Sequence, residues 1–264
     1  NLCWALNRKT MSLISVIIPC YNSSSTIAFT LEGLLSQDGD HIKEIIIVDS
    51  SDDNTRMIIN KYDKKVKKIY LNEKTIPAIA RNIGAKESTG EILAFIDSDA
   101  YPESDWSKKI VGAYNEGCNT GGGSYLLPIF QKNNMVAAAQ FFLQFNEFMA
   151  YGVPIQKTFA PSCNLYCKRT LFCEVEGFPN IRAAEDVLFG LAICKINRFW
   201  FRPEIMVTHI FRENITDFVR NQRLLGKYGF LYRKRIGKSL WTKSLPLFLL
   251  IVPITTAKGL RIGY

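Results

Sequence analysis

The first hundred residues alternate short apolar runs with longer stretches in which apolar residues recur at helical spacing. The apolar runs have strand length and cover residues 13–19, 44–48, 67–71 and 91–96. Helical spacing covers residues 23–37, a stretch reaching about residue 62, and residues 77–88, with Ser24 or Ser25 as the first N-cap. Strands that are apolar on both faces and separated by helices predict a parallel sheet covered on both sides.

After residue 100 the pattern becomes less regular and predicts a mixed arrangement of helices and strands. We expect helices at residues 104–116, 133–150, 184–196 and 214–235, and strands at 120–127, 162–168 and 200–209. The aromatic side chains of helix 133–150 are expected in the core. Residues 11–100 and 101–236 are predicted to be two halves of one domain, joined across one continuous sheet.

The charge is unevenly distributed along the chain, which has a formal net charge of +9. Residues 195–264 hold 14 Lys and Arg against 3 Asp and Glu, so this last quarter alone carries +11. The basic run precedes an apolar stretch too short to span a bilayer, so we expect residues 237–264 to form an amphipathic, membrane-associating tail. A solvated helical face is the alternative explanation. Nucleic-acid binding is not expected, because the basic residues lead into an apolar tail instead of alternating with stacking aromatics.

The chain start and the cysteines bear on the cellular compartment. Residues 1–10 lack the apolar core of a signal peptide and are expected to be an upstream segment before Met11. Seven cysteines are present without a CxxC pair, and neither of the two histidines is near them, which favours buried reduced thiols over a zinc site. We therefore expect a cytoplasmic protein, peripheral to the cytoplasmic face of the membrane.

Polar residues follow the ends of three predicted strands. These clusters are Pro19-Cys20-Tyr21-Asn22, the acidic and serine residues 49–53, and Asp97-Ser98-Asp99. In open α/β sheets, ligands bind beyond the carboxyl ends of the strands, so three such clusters indicate one crevice. Two carboxylates at positions i and i+2 can face one hard cation, and Mg²⁺ or Mn²⁺ often shares its shell with substrate phosphates. A capped turn before helix 104–116 is the alternative explanation for this pair.

Together these motifs resemble family 2 glycosyltransferases over about residues 12–230. SVIIPCYN at 15–22 is similar to the family's opening strand and donor-binding turn, and IIIVDSSDDNT at 45–55 to its second-strand motif. ARNIGAKESTGEILAFIDSDA at 80–100 is similar to the segment leading to the metal-binding aspartates. The resemblance implies the GT-A fold, an α/β fold with a Rossmann-like, mostly parallel central sheet and helices on both faces, here followed by a basic, amphipathic helical tail.

The resemblance also implies a chemistry: a nucleotide diphosphate sugar as donor, with UDP favoured over GDP, and Mn²⁺ or Mg²⁺ as cofactor. The metal ligands would be Asp97, Asp99 and His209, and Asp49 would read the base of the donor. The donor-binding residues as a group would be Pro19, Tyr21, Asn22, Asp49, Arg81, Asn82, Asp97 and Ser98.

Glu185 and Asp186 are similar to the family's ED motif, which implies that they are catalytic and that Asp186 is the general base. A base on the acceptor hydroxyl suits direct displacement with inversion. An acidic pair capping a helix N-terminus is the alternative explanation. We further expect Asn164, with residues 161–163, to line the acceptor side. Gln222 and Arg223 resemble part of the QxxRW element of processive family members, but its tryptophan is absent, which argues against polymer synthesis. Arg220 and Arg223 are expected to contact diphosphate or an anionic acceptor instead. His41 is expected in a surface loop.

Two other functions are alternatives to a glycosyltransferase. A nucleotidyltransferase needs the same paired carboxylates, but normally has a glycine-rich basic loop after the first strand, where this chain has CYNSSST. A dehydrogenase would need GxGxxG in this loop and a P-loop kinase would need GxxxxGK followed by Ser or Thr, and the chain has neither motif. A non-catalytic, membrane-associated domain that binds nucleotide sugars is the second alternative. The expected acceptor is a saccharide, a lipid-linked molecule or a small metabolite, with cell-envelope or polysaccharide biosynthesis as the setting.

Overall fold

The computed structural model describes residues 13–62 and 66–235, with the backbone alone for residues 229–235. The predicted segments 1–10 and 237–264 lie outside the described residues. The strands are β1 Ile14–Cys20, β2 Ile42–Asp49, β3 Val66–Tyr70, β4 Ile92–Ile96, β5 Ala100–Pro102, β6 Thr120–Leu126, β7 Ile155–Lys157, β8 Asn164–Lys168 and β9 Phe199–His209. The helices are α1 Ile27–Leu35, α2 Thr55–Ile59, α3 Pro77–Lys86, α4 Trp106–Asn115, α5 Met135–Phe145, α6 Arg169–Glu174, α7 Glu185–Ile193 and α8 Ile215–Arg235, with a 3₁₀ helix at Ile129–Gln131.

The strands form one continuous sheet in the order β3-β2-β1-β4-β8-β6-β9-β5, with β7 also paired to β9. Strands β3, β2, β1 and β4 are parallel, as predicted for the first half. Strand β8 runs antiparallel to both β4 and β6, and joins them to a second half that contains parallel and antiparallel pairs. The prediction of one sheet shared by a parallel half and a mixed half is confirmed.

The core lies where the apolar runs of the sequence come together. Every residue of β1 is buried, so both faces of this central strand are covered by other elements. Helix α3 packs directly on β1 and β2 through Gly84, where an added Cβ would lie 2.5 Å from Ile17 Cγ2. Glycine therefore sets how closely this helix approaches the sheet, and the helix carries Arg81 on its buried side.

Several predicted boundaries and positions differ from the structure. Helix α1 begins after Thr26 and not after Ser24 or Ser25, because the chain first turns at Ser23, whose carbonyl accepts the N–H groups of Thr26 and Ile27. His41 is buried just before β2, so the expectation of a surface residue was wrong. The helix expected at 133–150 is Met135–Phe145 in the structure, so it ends five residues before the predicted boundary. Two strands, β5 and β7, were not predicted and have three residues each.

Six described cysteines are free; Cys173 and Cys194 are exposed and the other four are buried, so burial was predicted correctly for only part of the set. Within the described residues, no helix combines the length and the apolar character needed to cross a membrane.

Candidate functional site

The first cavity opens at the carboxyl ends of β1, β2 and β4. The strands are in register here, with Cys20 opposite Asp49, and β1 lies between β2 and β4, the arrangement that leaves a crevice in open α/β sheets. The cavity has a volume of about 690 Å³. The predicted donor-binding residues on its wall are Pro19, Tyr21, Asn22, Asp97 and Ser98.

The turn after β1 is fixed to the turn after β2. Asn22 has a left-handed backbone with φ of 51°, a conformation that Asn tolerates better than most residues. Its backbone N–H donates to Ser51 Oγ at 2.8 Å, and its side-chain oxygen accepts from the Asp52 N–H at 3.1 Å. These bonds hold the two loops of the cavity in one arrangement.

Asp49 does not line this cavity, which differs from its expected contact with the donor base. Its side chain is fully buried, and its Oδ2 accepts a hydrogen bond from Arg56 Nε at 2.9 Å. Its Oδ1 accepts from the Ser51 hydroxyl. The neighbouring Ser50 lies on the cavity wall instead. Because the Asp49 side chain is fully buried, a direct contact with a ligand would require the residues around it, such as the 38% exposed Arg56, to move.

Asp97, Ser98 and Asp99 leave β4 with the two carboxylates on the cavity wall. The Ser98 hydroxyl is 2.7 Å from the Ser23 hydroxyl, which ties the loop after β4 to the turn after β1. Burial raises the pKa of Asp99, and the nearby Asp97 raises it further, while His209 opposes the shift. Burial therefore disfavours the charged form of Asp99, and a nearby positive charge would favour it.

His209 reaches Asp99 because β5 pairs antiparallel with the end of β9. The pairing places Ala100 opposite His209, and the Ile210 N–H donates to the Asp99 carbonyl at 2.8 Å. His209 Nε2 lies 3.5 Å from Asp99 Oδ1, and its buried Nδ1 has no hydrogen-bond partner within the described residues. Two carboxylates and an imidazole form a donor set that suits Mn²⁺ or Mg²⁺.

Asp97, Asp99 and His209 carry atoms that could ligate a divalent cation, but they do not form a coordination shell as they lie in this structure. Within the described residues, no group of three His, Cys, Asp or Glu side chains is already close enough to hold a metal. A cation here would need further oxygen ligands, which is how Mg²⁺ sites that share substrate phosphates are commonly built.

Arg81 is the buried cation at the centre of the site, and only 2% of its side chain is exposed. Its Nη2 donates to Asp97 Oδ1 at 2.6 Å, and its Nη1 donates to Glu185 Oε1 at 2.9 Å. Burial alone would lower the pKa of Arg81, but the two carboxylates raise it. The guanidinium thus joins the loop after β4 to the start of α7, two segments that are distant in sequence.

Asn82 was expected to bind the donor, and the structure gives it a different position. It does not line either cavity; its side chain donates to the Phe178 carbonyl at 2.7 Å and accepts from the Phe178 N–H at 2.9 Å. Gly177 has a positive φ of 73°, and an added Cβ there would lie 2.7 Å from Asn82 Oδ1. Asn82 therefore holds the loop before α7 because its amide matches that loop's backbone groups.

Asp186 lines a second cavity of about 760 Å³, on the other side of Asp97 and Asp99. Ala184 precedes it with a left-handed φ of 66°, which turns the chain into α7. Burial, together with the charge of Glu185, raises the pKa of Asp186 to about 7. A carboxyl group with this pKa can accept a proton near neutral pH. Glu185 is itself paired with Arg81, so of the two predicted catalytic residues only Asp186 has its carboxylate without an ion pair to this arginine.

The two cavities share part of their walls. Asp97, Asp99 and Pro77 line both, and so do two arginines that the sequence analysis did not identify, Arg182 and Arg212. Lys74, also unidentified, lines the first cavity and lies 3.8 Å from the centre of the Tyr21 ring. In the sequence, Arg182 and Arg212 could have been noticed only from their positions, close to the ED motif and just after His209.

Three residues expected near the acceptor or the phosphates lie elsewhere. Residues 161–163 line the second cavity as expected, but Asn164 is buried and donates to the carbonyls of Ser124 and Ile205. Its amide binds backbone carbonyls of β6 and β9 beside the register shift between Gly123 and Ser124. Neither Arg220 nor Arg223 lines a cavity, and Arg220 is paired with Asp217 one helical turn earlier.

Comparisons with known proteins bear on the family and the fold of this chain. The model of the family described as glycosyl transferase family 2 matches residues 15–172. TuaG of Bacillus subtilis, named for teichuronic acid biosynthesis, is 28% identical over 69% of this chain and 72% of its own length. WfaP of Escherichia coli, named a UDP-Glc:α-D-GlcNAc-diphosphoundecaprenol β-1,3-glucosyltransferase, is 45% identical over 34% of this chain and 37% of its own length.

Solved structures share the fold at low sequence identity. Staphylococcus aureus TarS in complex with UDP-GlcNAc has a TM-score of 0.63 and 24% identity, over 76% of this chain and 59% of that one. GalNAc-T7 with UDP, GalNAc and Mn²⁺ has a TM-score of 0.61 and 16% identity, over 76% of this chain and 44% of that one. The predicted GT-A architecture is confirmed. With the family model covering more than half of its length, the chain belongs to glycosyl transferase family 2.

Proposed function

We propose that this protein transfers a sugar from a nucleotide diphosphate sugar, with UDP favoured, to a hydroxyl group of a cell-envelope glycan precursor. The observation that carries the proposal is the pair of cavities that share Asp97 and Asp99. The first cavity offers the donor a place at the strand ends, and the second offers the acceptor the carboxylate of Asp186.

On the donor side, the diphosphate would lie against the shared wall. Arg182 and Arg212 would donate charge-assisted hydrogen bonds to its oxygens, and Tyr21, with Lys74 beside it, would contact the nucleoside. Asp97, Asp99 and His209 would hold Mn²⁺ or Mg²⁺, and a bound divalent cation supplies charge neutralisation of the leaving diphosphate. Asp49 remains the predicted residue for reading the base.

On the acceptor side, Asp186 would accept the proton of the attacking hydroxyl while that oxygen forms its bond to the anomeric carbon. The bond between the anomeric carbon and the diphosphate oxygen breaks on the opposite face, so the product is inverted. Arg81 would stay paired with both Glu185 and Asp97. These pairs would hold the loop after β4 and the start of α7 in fixed positions relative to both substrates.

The names of the relatives favour an acceptor from the cell envelope. WfaP is named for a sugar linked to diphosphoundecaprenol, a lipid carrier, and TuaG for teichuronic acid. We therefore propose a lipid-linked saccharide as the acceptor class, and association with the cytoplasmic face of the membrane through the basic C-terminal region. A saccharide or small metabolite in solution is the alternative acceptor.

Calorimetry tests the donor part of the proposal. UDP and GDP would be titrated, with and without Mn²⁺, into the wild type, Asp97→Ala/Asp99→Ala, and the control Asp38→Ala, which alters an exposed carboxylate outside both cavities. We expect Mn²⁺-dependent binding of UDP that is lost in the double variant and kept in the control. A folded wild type that binds neither nucleotide under any condition would contradict the proposed function.

A further inference from the structure

Helix α5 is apolar on its exposed face as well as on its buried face. Its exposed positions are Met135, Ala139, Phe142 and Leu143, which recur at helical spacing and are all apolar. One of its two polar side chains, Gln140, is buried and accepts a hydrogen bond from the Arg212 N–H at 3.1 Å. A helix that is apolar on its outer face normally has that face covered by another surface.

The exposed apolar residues continue on both sides of α5. Of the fifteen exposed large hydrophobic residues among those the structure describes, eight lie between residues 129 and 155. This stretch of the sequence has only two charged residues, Lys132 and Glu147. The 3₁₀ helix before α5 adds Ile129, which is 82% exposed, and Phe130, whose ring stacks on Phe29 of α1. Exposed apolar residues are ordinarily scattered singly over a protein surface, so a concentration of them marks an interaction surface.

The neighbouring helix α8 adds positive charge to this surface. It contacts α5, and its sequence holds six Lys and Arg against one acidic residue, Asp217. Apolar side chains beside a basic helix match an anionic bilayer, in which acyl chains lie beneath negative headgroups. A symmetric dimer through α5 would bring two basic α8 helices together, which like-charge repulsion disfavours.

The same surface borders the cavity that contains Asp186. Leu143 of α5 and Leu225 of α8 are both exposed and both line that cavity. The rim of the second cavity is therefore part of the apolar surface. A bilayer against this surface would lie at the entrance through which an acceptor reaches the carboxylate.

We propose that the exposed face of the 3₁₀ helix and α5, with the exposed Arg223 and Lys227 of α8, docks on an anionic lipid bilayer. This inference extends the membrane association proposed above to a second surface, and it rests on the proposed function only in identifying the second cavity as the acceptor site. The docked orientation presents that cavity to a lipid-linked acceptor without extracting it from the membrane.

Vesicle flotation of the full chain tests the docking. Phosphatidylcholine vesicles, with or without phosphatidylglycerol, would be mixed with the wild type, with Met135→Gln/Phe142→Gln, and with a matched control, Met57→Gln/Ile196→Gln. The two altered residues are 86% and 54% exposed, and the control residues, which lie outside this surface, are 62% and 42% exposed. We expect the double variant to bind anionic vesicles about tenfold more weakly, because two large apolar side chains leave the interface. The control should stay within about twofold of the wild type.

A second pair of variants tests the contribution of charge. Arg223→Gln/Lys227→Gln should weaken binding to the anionic vesicles about tenfold and leave the weaker binding to phosphatidylcholine unchanged. Equal flotation of the wild type and Met135→Gln/Phe142→Gln would overturn the proposal and assign membrane binding to another part of the chain. A wild type that does not float with anionic vesicles would overturn it too.

Two further measurements separate docking from folding, self-association and catalysis. UDP calorimetry on the same variants shows whether the donor site persists; if the double variant loses it, Met135→Gln alone, at the most exposed position, is used instead. Sedimentation velocity without lipid would overturn the proposal if the wild type is a dimer and the double variant a monomer. Docking without any UDP binding would contradict the proposed function and leave the docking surface standing.

Discussion

Replacing Arg81 by methionine would remove the cation from between two carboxylates while keeping a side chain of similar length. Breaking a buried ion pair by removing one partner costs about 3–5 kcal/mol of unfolding free energy. Asp97 is 30% exposed and can regain water, whereas Glu185 is only 9% exposed and cannot. We therefore expect a loss near the lower end of this range, about 3 kcal/mol at pH 8. With an m-value of about 3 kcal/mol/M, the urea midpoint should fall by about 1 M.

The loss should depend on pH, and its sign follows from Glu185. Burial already raises the pKa of this carboxyl, and Arg81 opposes the shift. Without Arg81 the folded-state pKa rises further above the unfolded value, so stability is lost as pH rises from the unfolded pKa through the folded one. The difference between wild type and Arg81→Met should therefore be smaller at about pH 5 than at about pH 8.

Urea denaturation followed by tryptophan fluorescence at both pH values measures this directly, since Trp106 is buried in the core. Arg81→Lys is the matched control: it keeps the charge but lacks the planar fork that reaches two carboxylates, and an intermediate loss is expected. A midpoint shift at pH 8 below about 0.3 M for Arg81→Met, or an equal shift at both pH values, would refute the reasoning.

Three further predictions concern the base, the phosphate contacts and the loop before α7. Asp186→Asn should lower kcat by at least about 10²-fold and leave UDP affinity unchanged. Wild-type kcat should rise through about pH 7, where the buried carboxyl ionises. A pH-independent kcat would contradict the base assignment. Arg212→Met should weaken UDP about tenfold in calorimetry but leave uridine unchanged, while Arg198→Met, an exposed control, alters neither. Gly177→Ala should lower the unfolding free energy by about 1–3 kcal/mol in a thermal melt, because φ is positive and Asn82 occupies the space that the added Cβ would need. An unchanged Tm would count against this role of the contact between Gly177 and Asn82.

The parallel half of the fold could be predicted because its strands are uninterrupted apolar runs. Each predicted strand from β1 to β4 overlaps the observed one, since burial on both faces leaves a strong pattern in the sequence. Strand β5 has only three residues and leaves no such pattern. Its pairing with β9 is what brings His209 to Asp99, so the residues could be named from the sequence but their approach could not be derived from it.

Polar residues near the motifs were harder to assign than the motifs themselves. Asn82 was predicted to bind the donor and Asn164 to line the acceptor side, yet the amides of both pair with backbone groups. Nothing local distinguishes such an amide from one that contacts a ligand, because the partner lies far away in sequence. Arg182 and Arg212 were not predicted, because a lone arginine in a loop can be recognised as a site residue only when the fold places it beside carboxylates.

Helix α5 shows the same limit for apolar residues. Its composition predicts a core helix, and Phe141 and Phe145 are indeed buried, but Phe142 and Leu143 between them are exposed. The sequence pattern is apolar nearly all around, so it does not specify which face meets the protein. On the buried face, Gln140 accepts a hydrogen bond from the backbone of residue 212, a partner far away in sequence.

The position of Arg81 has a consequence for how enzymes of this kind could diversify. Its partners come from the two halves of the chain, Asp97 from the first and Glu185 from the second. A new second half cannot simply be exchanged onto the old first half, because a replacement without a carboxylate at the start of α7 would leave a buried guanidinium half-paired. Hybrids between relatives should fold well only where that carboxylate is retained, so acceptor preference can change in the surrounding loops more readily than at this junction.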